Sequence, residues 1–266
     1  MKDEAPLAGC RVLVTRPAHQ ADDLGDALGA LGAAVTAIPT IRIDDPPDPA
    51  PLERAAASLP SYDWVVLTSA NGVRRLAAAV ERAHGSLEPF RRARIAVIGP
   101  ATRDAVRELG AEAPVMPGSF RAEDLASALL DAGRGLDGAR ILLARARQAR
   151  PVLPDRLRKA GATVEVVPAY VTRVAREGAP GLARLIEDDG LDWITFTASS
   201  TVRAWVELVG PRTGSARVAA IGPITADTAR EEGLRVDVVA EEYTTAGLVD
   251  ALVRSVAGAR SGAARG

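Results

Sequence analysis

The sequence predicts an α/β protein built from two doubly wound parallel-sheet domains, and three observations carry that prediction. The chain of 266 residues repeats itself: residues 141–168 align with 12–39 without a gap at an offset of 129, giving 9 identities in 28 positions. Residues 216–233 align with 93–110 at an offset of 123, giving 11 identities in 18. Within each copy, short apolar runs without polar alternation take turns with helical periodicity, so each copy reads βαβ and then αβαβα. Runs of that kind suit parallel strands buried on both faces. A period of about 120 residues is far too long for a solenoid and indicates duplicated domains.

Taken in order, Arg11 to Thr15 (RVLVT) reads as the first strand, and Arg16-Pro17-Ala18 as a turn. A helix follows from about Gln20 to Leu31, apolar at Leu24, Leu28 and Leu31 and stopped by Gly32. Val35 to Ile38 makes the next strand. Pro39 to Ile43 is extended and alternating, while Asp44 to Pro51 (DDPPDPAP) excludes regular helix or a central strand. A helix near Leu52 to Ser58 leads into Tyr62 to Leu76 (YDWVVLTSANGVRRL), which recurs at 191–205 as LDWITFTASSTVRAW. Both stretches read as a strand running into a helix start, where free N–H groups and the helix dipole can hold an anion. Arg94 to Ile98 is a strand, Thr102 to Leu109 a helix ending at Gly110, and Val115-Met116 a short strand. Ser119 and Glu123 flank the start of a helix to about Ala132, and from Arg140 the pattern begins again. The second copy has its own alternating connector, Pro168 to Ala175, matching Pro39 to Pro46. The expected division is residues 1–37 with 176–257, residues 46–166, linkers at 38–45 and 167–175, and a disordered tail at 258–266.

Composition narrows the function. Apolar residues make up 47% and the net charge is −1, which argues against a general nucleic-acid-binding surface. One cysteine, Cys10, excludes an internal disulfide framework and a multi-cysteine metal site. His19 and His84 belong to no motif. No signal peptide and no apolar run of membrane-spanning length is present, so a cytoplasmic protein without membrane partners is expected. Few aromatics and no exposed apolar stripe point to a monomer.

Gly133 to Gly138 (GRGLDG) fits GxGxxG in letters, but it follows a helix and precedes a strand, the reverse of a dinucleotide site, and reads as a helix stop. The informative stretches are the strand-to-helix turns: Thr15-Arg16-Pro17, Thr68-Ser69-Ala70-Asn71, Gly99-Pro100-Ala101-Thr102, Thr197-Ala198-Ser199-Ser200 and Gly222-Pro223-Ile224-Thr225. Ligands bind at the carboxyl ends of strands in open α/β sheets. Any single hydroxyl there reads more readily as a helix N-cap, while the five turns together favour a cleft rich in neutral donors. Arg16, and Arg145 at the equivalent place in the second copy, suit a carboxylate or phosphate; a plain surface arginine is the alternative. Tyr170, one of three tyrosines, sits in the second connector where the first has Ile41, and reads either as a proton donor or as a packing residue. Asp63 and Asp192 read as turn residues at strand starts, away from any ligand.

The ordered series LVTRP (13–17), VLTSANGV (66–73), AVIGPATRDAV (96–106), VPAYVTR (167–173), FTASSTVRA (196–204) and AAIGPITADTA (219–229) resembles the uroporphyrinogen-III synthase family over residues 11–254. The resemblance implies two flavodoxin-like domains joined by a two-stranded linker, with the active site in the cleft between them. It implies cyclisation of the linear tetrapyrrole hydroxymethylbilane with loss of water and inversion of ring D, without cofactor or metal. It also allows hand-over of the substrate from hydroxymethylbilane synthase. Tyr170 stands at the position of the family's cleft tyrosine; Thr102, Ser199 and Thr225 match positions lining the cleft. Ser69 and Asn71 fall in the equivalent loop of the other domain, and Thr68 and Ser200 belong to the same two turns. The second copy departs by carrying Ala198 where the first has Ser69. A non-catalytic two-domain binder of a polyanionic small molecule is the alternative reading.

Overall fold

In a computed structural model that describes residues 5–118, 122–132 and 135–263, the described residues form ten strands and eleven α-helices. The strands are β1 (Arg11–Val14), β2 (Ala34–Ala37), β3 (Ile41–Asp44), β4 (Trp64–Leu67), β5 (Ile95–Val97), β6 (Arg140–Ala146), β7 (Thr163–Val174), β8 (Trp193–Phe196), β9 (Arg217–Ala220) and β10 (Val238–Val239). The helices are α1 (Ala18–Ala30), α2 (Ala50–Ala57), α3 (Ala70–His84), α4 (Glu88–Arg92), α5 (Pro100–Glu108), α6 (Ala122–Asp131), α7 (Val152–Lys159), α8 (Ala179–Glu187), α9 (Ser199–Val209), α10 (Pro223–Glu231) and α11 (Thr245–Ala263). The chain falls into two compact units, one of residues up to Arg42 and from Arg173 onward, the other Ile43–Thr172. It passes from one to the other within β3 and returns within β7.

In the first unit the sheet order is β2-β1-β8-β9-β10, with every pair parallel. Successive strand residues point to opposite faces, and both faces are covered. Val12 and Val14 pack with Leu24, Leu28, Leu248 and Leu252 on one side. Leu13 packs with Ile194, Phe196 and Trp205 on the other. That two-sided burial is why these strands read as unbroken apolar runs. In the second unit the order is β3-β7-β6-β4-β5, parallel from β7 to β5. Val65 and Leu67 face Val73, Leu76 and Phe90, while Trp64 and Val66 face Leu125, Leu129, Leu153 and Leu157.

Several expectations need correction. Val115-Met116 is no strand but contributes a single parallel bridge from Val115 to Ala96. Helix α2 begins at Ala50, earlier than the prolines suggested, because Pro51 lies in its first turn, where a missing N–H costs nothing. Helix α4 was not anticipated. Helix α11 runs through Gly258 to Ala263, into the stretch expected to be disordered, with Arg260 donating to the carbonyls of Pro6 and Ala8. Residues 264–266 lie outside the described residues, as do Ser119 and, in the GxGxxG stretch, Gly133 and Arg134. The remainder of that stretch separates α6 from β6.

Candidate active site

In the second unit the site is assembled where β4 gives way to α3. Ser69 has extended backbone (φ −160°, ψ 152°) and caps α3, its Oγ accepting the Gly72 N–H at 3.1 Å. The same Oγ lies 2.9 Å from the Tyr170 hydroxyl. Tyr170 reaches it through an irregularity in β7. Arg145 of β6 is opposite Pro168, yet Ala146 is opposite Tyr170, so Ala169 is an extra residue on the β7 side. Pro168 has no N–H to give the ladder and suits such a bulge. Strict alternation would put residues 169 and 170 on opposite faces; both join Val167 in one core cluster instead. Tyr170 is 8% exposed, and burial pushes its phenol pKa up while the Ser69 hydrogen bond partly offsets the shift. An unperturbed phenol already titrates near 10, so this one is protonated at neutral pH.

Thr68 and Asn71 flank Ser69, both half-buried, and Thr102 is buried in the first turn of α5. Arg145 makes a different contact from its repeat partner Arg16. Its Nη1 donates to the Arg150 carbonyl at 2.6 Å, and burial, with Arg158 adding to it, lowers its pKa.

In the first unit the corresponding turns hold a different set. Arg16, at the end of β1, donates from Nε to Thr197 Oγ1 at 3.0 Å, and burial lowers the pKa of its guanidinium, which stays charged. Ser199, first residue of α9, lies 2.7 Å from Thr228 Oγ1 of α10. Thr228 donates to the Ile224 carbonyl at 2.9 Å, a back-bond of the kind helical threonines form. Ser199 Oγ also lies 3.4 Å from the Ile224 carbonyl, so the two hydroxyls share that acceptor and either can donate to the other. Thr225 is buried in the first turn of α10, and Ser200 is half-buried beside Ser199. The structure therefore joins Tyr170 to Ser69, and Ser199 to a residue the sequence reading passed over. Thr197 and Thr228 are the additions. Their signals were a hydroxyl in the turn itself, and the Thr225/Thr228 spacing that shares a helix face.

Asp63 and Asp192 do more than turn the chain. Each accepts the N–H of the first residue of a neighbouring strand at 2.8 Å, Arg140 for Asp63 and Arg11 for Asp192. His84 Nε2 sits 3.0 Å from the Ala56 carbonyl. Among the described residues no group of three or more His, Cys, Asp or Glu could hold a metal ion, and no helix is long and apolar enough to cross a membrane.

A family model described as uroporphyrinogen-III synthase HemD matches residues 22–250. The chain belongs to that family. Its members are lyases of porphyrin biosynthesis. A uroporphyrinogen-III synthase of Synechococcus elongatus is 34% identical over 258 residues, covering 94% of this chain and 96% of that protein. A porphyrin biosynthesis protein HemD of Ruminiclostridium josui is 28% identical over 93% of this chain, which spans 49% of that longer protein. The fold is also that of a crystal structure of a mutant uroporphyrinogen III synthase from Thermus thermophilus, with a TM-score of 0.66, 21% identity, and coverage of 94% and 100% of the two chains.

Proposed function

We infer that this chain is a uroporphyrinogen-III synthase, cyclising hydroxymethylbilane with loss of water and inversion of ring D. The observation that carries the reading is the 34% identity to a synthase along nearly the whole of both chains. In this reading the two units are flavodoxin-like, descend from one duplicated domain and are linked by β3 and β7. The enzyme works as a cytoplasmic monomer and takes its unstable substrate from hydroxymethylbilane synthase.

The buried, protonated phenol of Tyr170 supports a role as the acid. It gives its proton to the hydroxymethyl oxygen, the C–O bond breaks, water leaves, and the pyrrole nitrogen's electron pair forms the azafulvenium. The substituted carbon of ring D attacks that carbon to give a spiro intermediate, which opens and recloses through ring D's unsubstituted carbon. The hydrogen shed there returns as a proton to the phenolate. Because the bilane closes unaided to the uninverted isomer, the protein must govern geometry more than supply strong acid. Within its own unit each set of turns offers groups suited to the substrate's carboxylates: Thr68, Asn71, Thr102 and Arg145 in the second, Arg16, Ser199, Ser200 and Thr225 in the first, through hydroxyls, amide groups and guanidinium.

The deciding measurement is the ratio of type III to type I porphyrin formed from fresh hydroxymethylbilane with and without the protein. Mostly type III is expected. Type I alone at the uncatalysed rate would remove the enzyme and leave a polyanion binder. Replacing Tyr170 by Phe should slow turnover by about 10²-fold or more, the scale of a lost general acid, with substrate binding retained.

A further inference from the structure

We propose that Ser69 is a positioning residue that donates its hydroxyl proton to Tyr170, so that the phenol's own proton is aimed at substrate. The inference rests on the reading of Tyr170 as the acid, and turns on counting protons. Ser69 Oγ already accepts the Gly72 N–H at 3.1 Å and has one proton to place. Tyr170 Oη is 2.9 Å away, and either oxygen can be the donor. A phenol that donated to Ser69 would have its proton engaged in the wrong direction. With Ser69 donating, the relay runs from the Gly72 N–H at the start of α3, through Ser69, to a phenol whose proton is available.

The other repeat supplies a control inside the same molecule. Ala198 stands at Ser69's place, with φ −161° and ψ 152° against −160° and 152°, and α9 starts there without any side-chain cap. A hydroxyl is therefore not required to begin a helix with this backbone. Tyr170's counterpart in that comparison is Ile41. Serine and tyrosine are both replaced in the same comparison by residues unable to hydrogen-bond through their side chains, which is expected if the two act as one device rather than as a helix cap and a packing residue.

Asn and Asp at position 69 separate the roles. Both cap helices well through a side-chain oxygen, but Asn retains an N–H donor for the phenol and Asp offers acceptors alone. Steady-state formation of type III product should show Ser69→Asp at least about tenfold below Ser69→Asn in kcat, with KM for the bilane within about twofold and thermal unfolding comparable. That ratio takes its scale from the advantage of a correctly placed proton. In a Tyr170→Phe background, Ser69→Ala should cost no further turnover. Equal kcat for the Asp and Asn variants would reduce Ser69 to a cap and overturn the proposal. An additional loss from Ser69→Ala without the phenol would also overturn it, showing an independent role. If Tyr170→Phe alone left turnover unchanged, the acid assignment beneath the proposal would fail first, and the two failures are told apart.

Discussion

The two units share their contacts at the amino ends of the strands and differ at the carboxyl ends. In both, an aspartate carboxylate takes the N–H of the neighbouring strand's first residue at 2.8 Å. In both, an arginine guanidinium lies over the strand's tryptophan, Arg94 over Trp64 at 4.2 Å and Arg217 over Trp193 at 4.1 Å. At the other end, Ser69 and Tyr170 of one unit answer to Ala198 and Ile41 of the other, while Ser199 and Thr228 answer to Ala70 and Ala105. At these positions each unit is polar where its counterpart is apolar, whereas Thr68 and Thr197, and Thr102 and Thr225, are kept in both. Contacts kept in both copies fasten strands together; contacts found in one only are free to serve a ligand, because the fold manages without them elsewhere.

The largest test of the shared half lies in the cores. Trp205 is fully buried, edge-on to Phe196 at 5.8 Å, with Nε1 donating to the Arg212 carbonyl at 3.2 Å. Its repeat counterpart is Leu76, equally buried. Trp205→Ala should lower unfolding stability by about 3–5 kcal/mol and Leu76→Ala by about 2–5 kcal/mol, as large-to-small core changes do. Denaturant unfolding in which Leu76→Ala proved the costlier would show that the aromatic pair adds nothing.

Next in size is Gly72→Ala. A Cβ at Gly72 would come 3.1 Å from the Ala144 carbonyl oxygen and 3.4 Å from Ser69 Oγ, whereas the counterpart Thr201 carries a full side chain whose Oγ1 donates to the Ala198 carbonyl at 2.7 Å. Overpacking of about 1–3 kcal/mol is expected, together with reduced turnover as the Ser69 hydroxyl is pushed aside. Full activity would detach Ser69 geometry from catalysis. A smaller gain should come from Ala198→Ser, since the backbone there is already that of a capping residue. About 0.5–1 kcal/mol of added stability is expected, with turnover unchanged.

Much of this was legible before any coordinates. The strands of both sheets could be read because burial on two faces leaves uniform apolar runs, and the two copies were visible as aligned residues. What could not be read was whatever depends on departures from regular geometry. The bulge at Pro168–Tyr170 shifts a side chain to a face that alternation denies it, and no period-two count reveals that. The Arg145 interaction with the Arg150 carbonyl depends on a loop path, whereas the alignment with Arg16 suggested only a shared carboxylate- or phosphate-binding role. Ser69 and Ser199 stood out because they lie in strand-to-helix turns that recur in both copies, and Tyr170 because it is one of three tyrosines, in a connector whose counterpart has Ile41. Thr228 did not, because its importance comes from a helix packed beside α9 and not from its own turn.

The smallest effect compares the two aspartates. Asp192 accepts from the Arg11 N–H and faces its guanidinium at 3.0 Å, while Arg140, the repeat counterpart of Arg11, has its guanidinium 5.3 Å from the Tyr62 ring centre. Tyr62 is available to Arg140 because the first repeat has an aromatic where the second has Leu191. The Arg11 hydrogen bond holds the Asp192 carboxyl below its ordinary 3.8 despite an opposing desolvation effect. A carboxyl with its folded pKa depressed gives up its proton more readily in the folded chain. Its contribution is then whole above the unfolded value and is lost as pH falls through the folded one. Both side chains are more than a third exposed, so water and salt screen the pair and the contribution is slight. Asp192→Asn should therefore lower the urea midpoint at pH 7, do so less in high salt, and do so less again at pH 3. A penalty of equal size at both pH values would mean that Asp192 acts through its neutral hydrogen-bonding shape, and that the two amino ends are held in the same way after all.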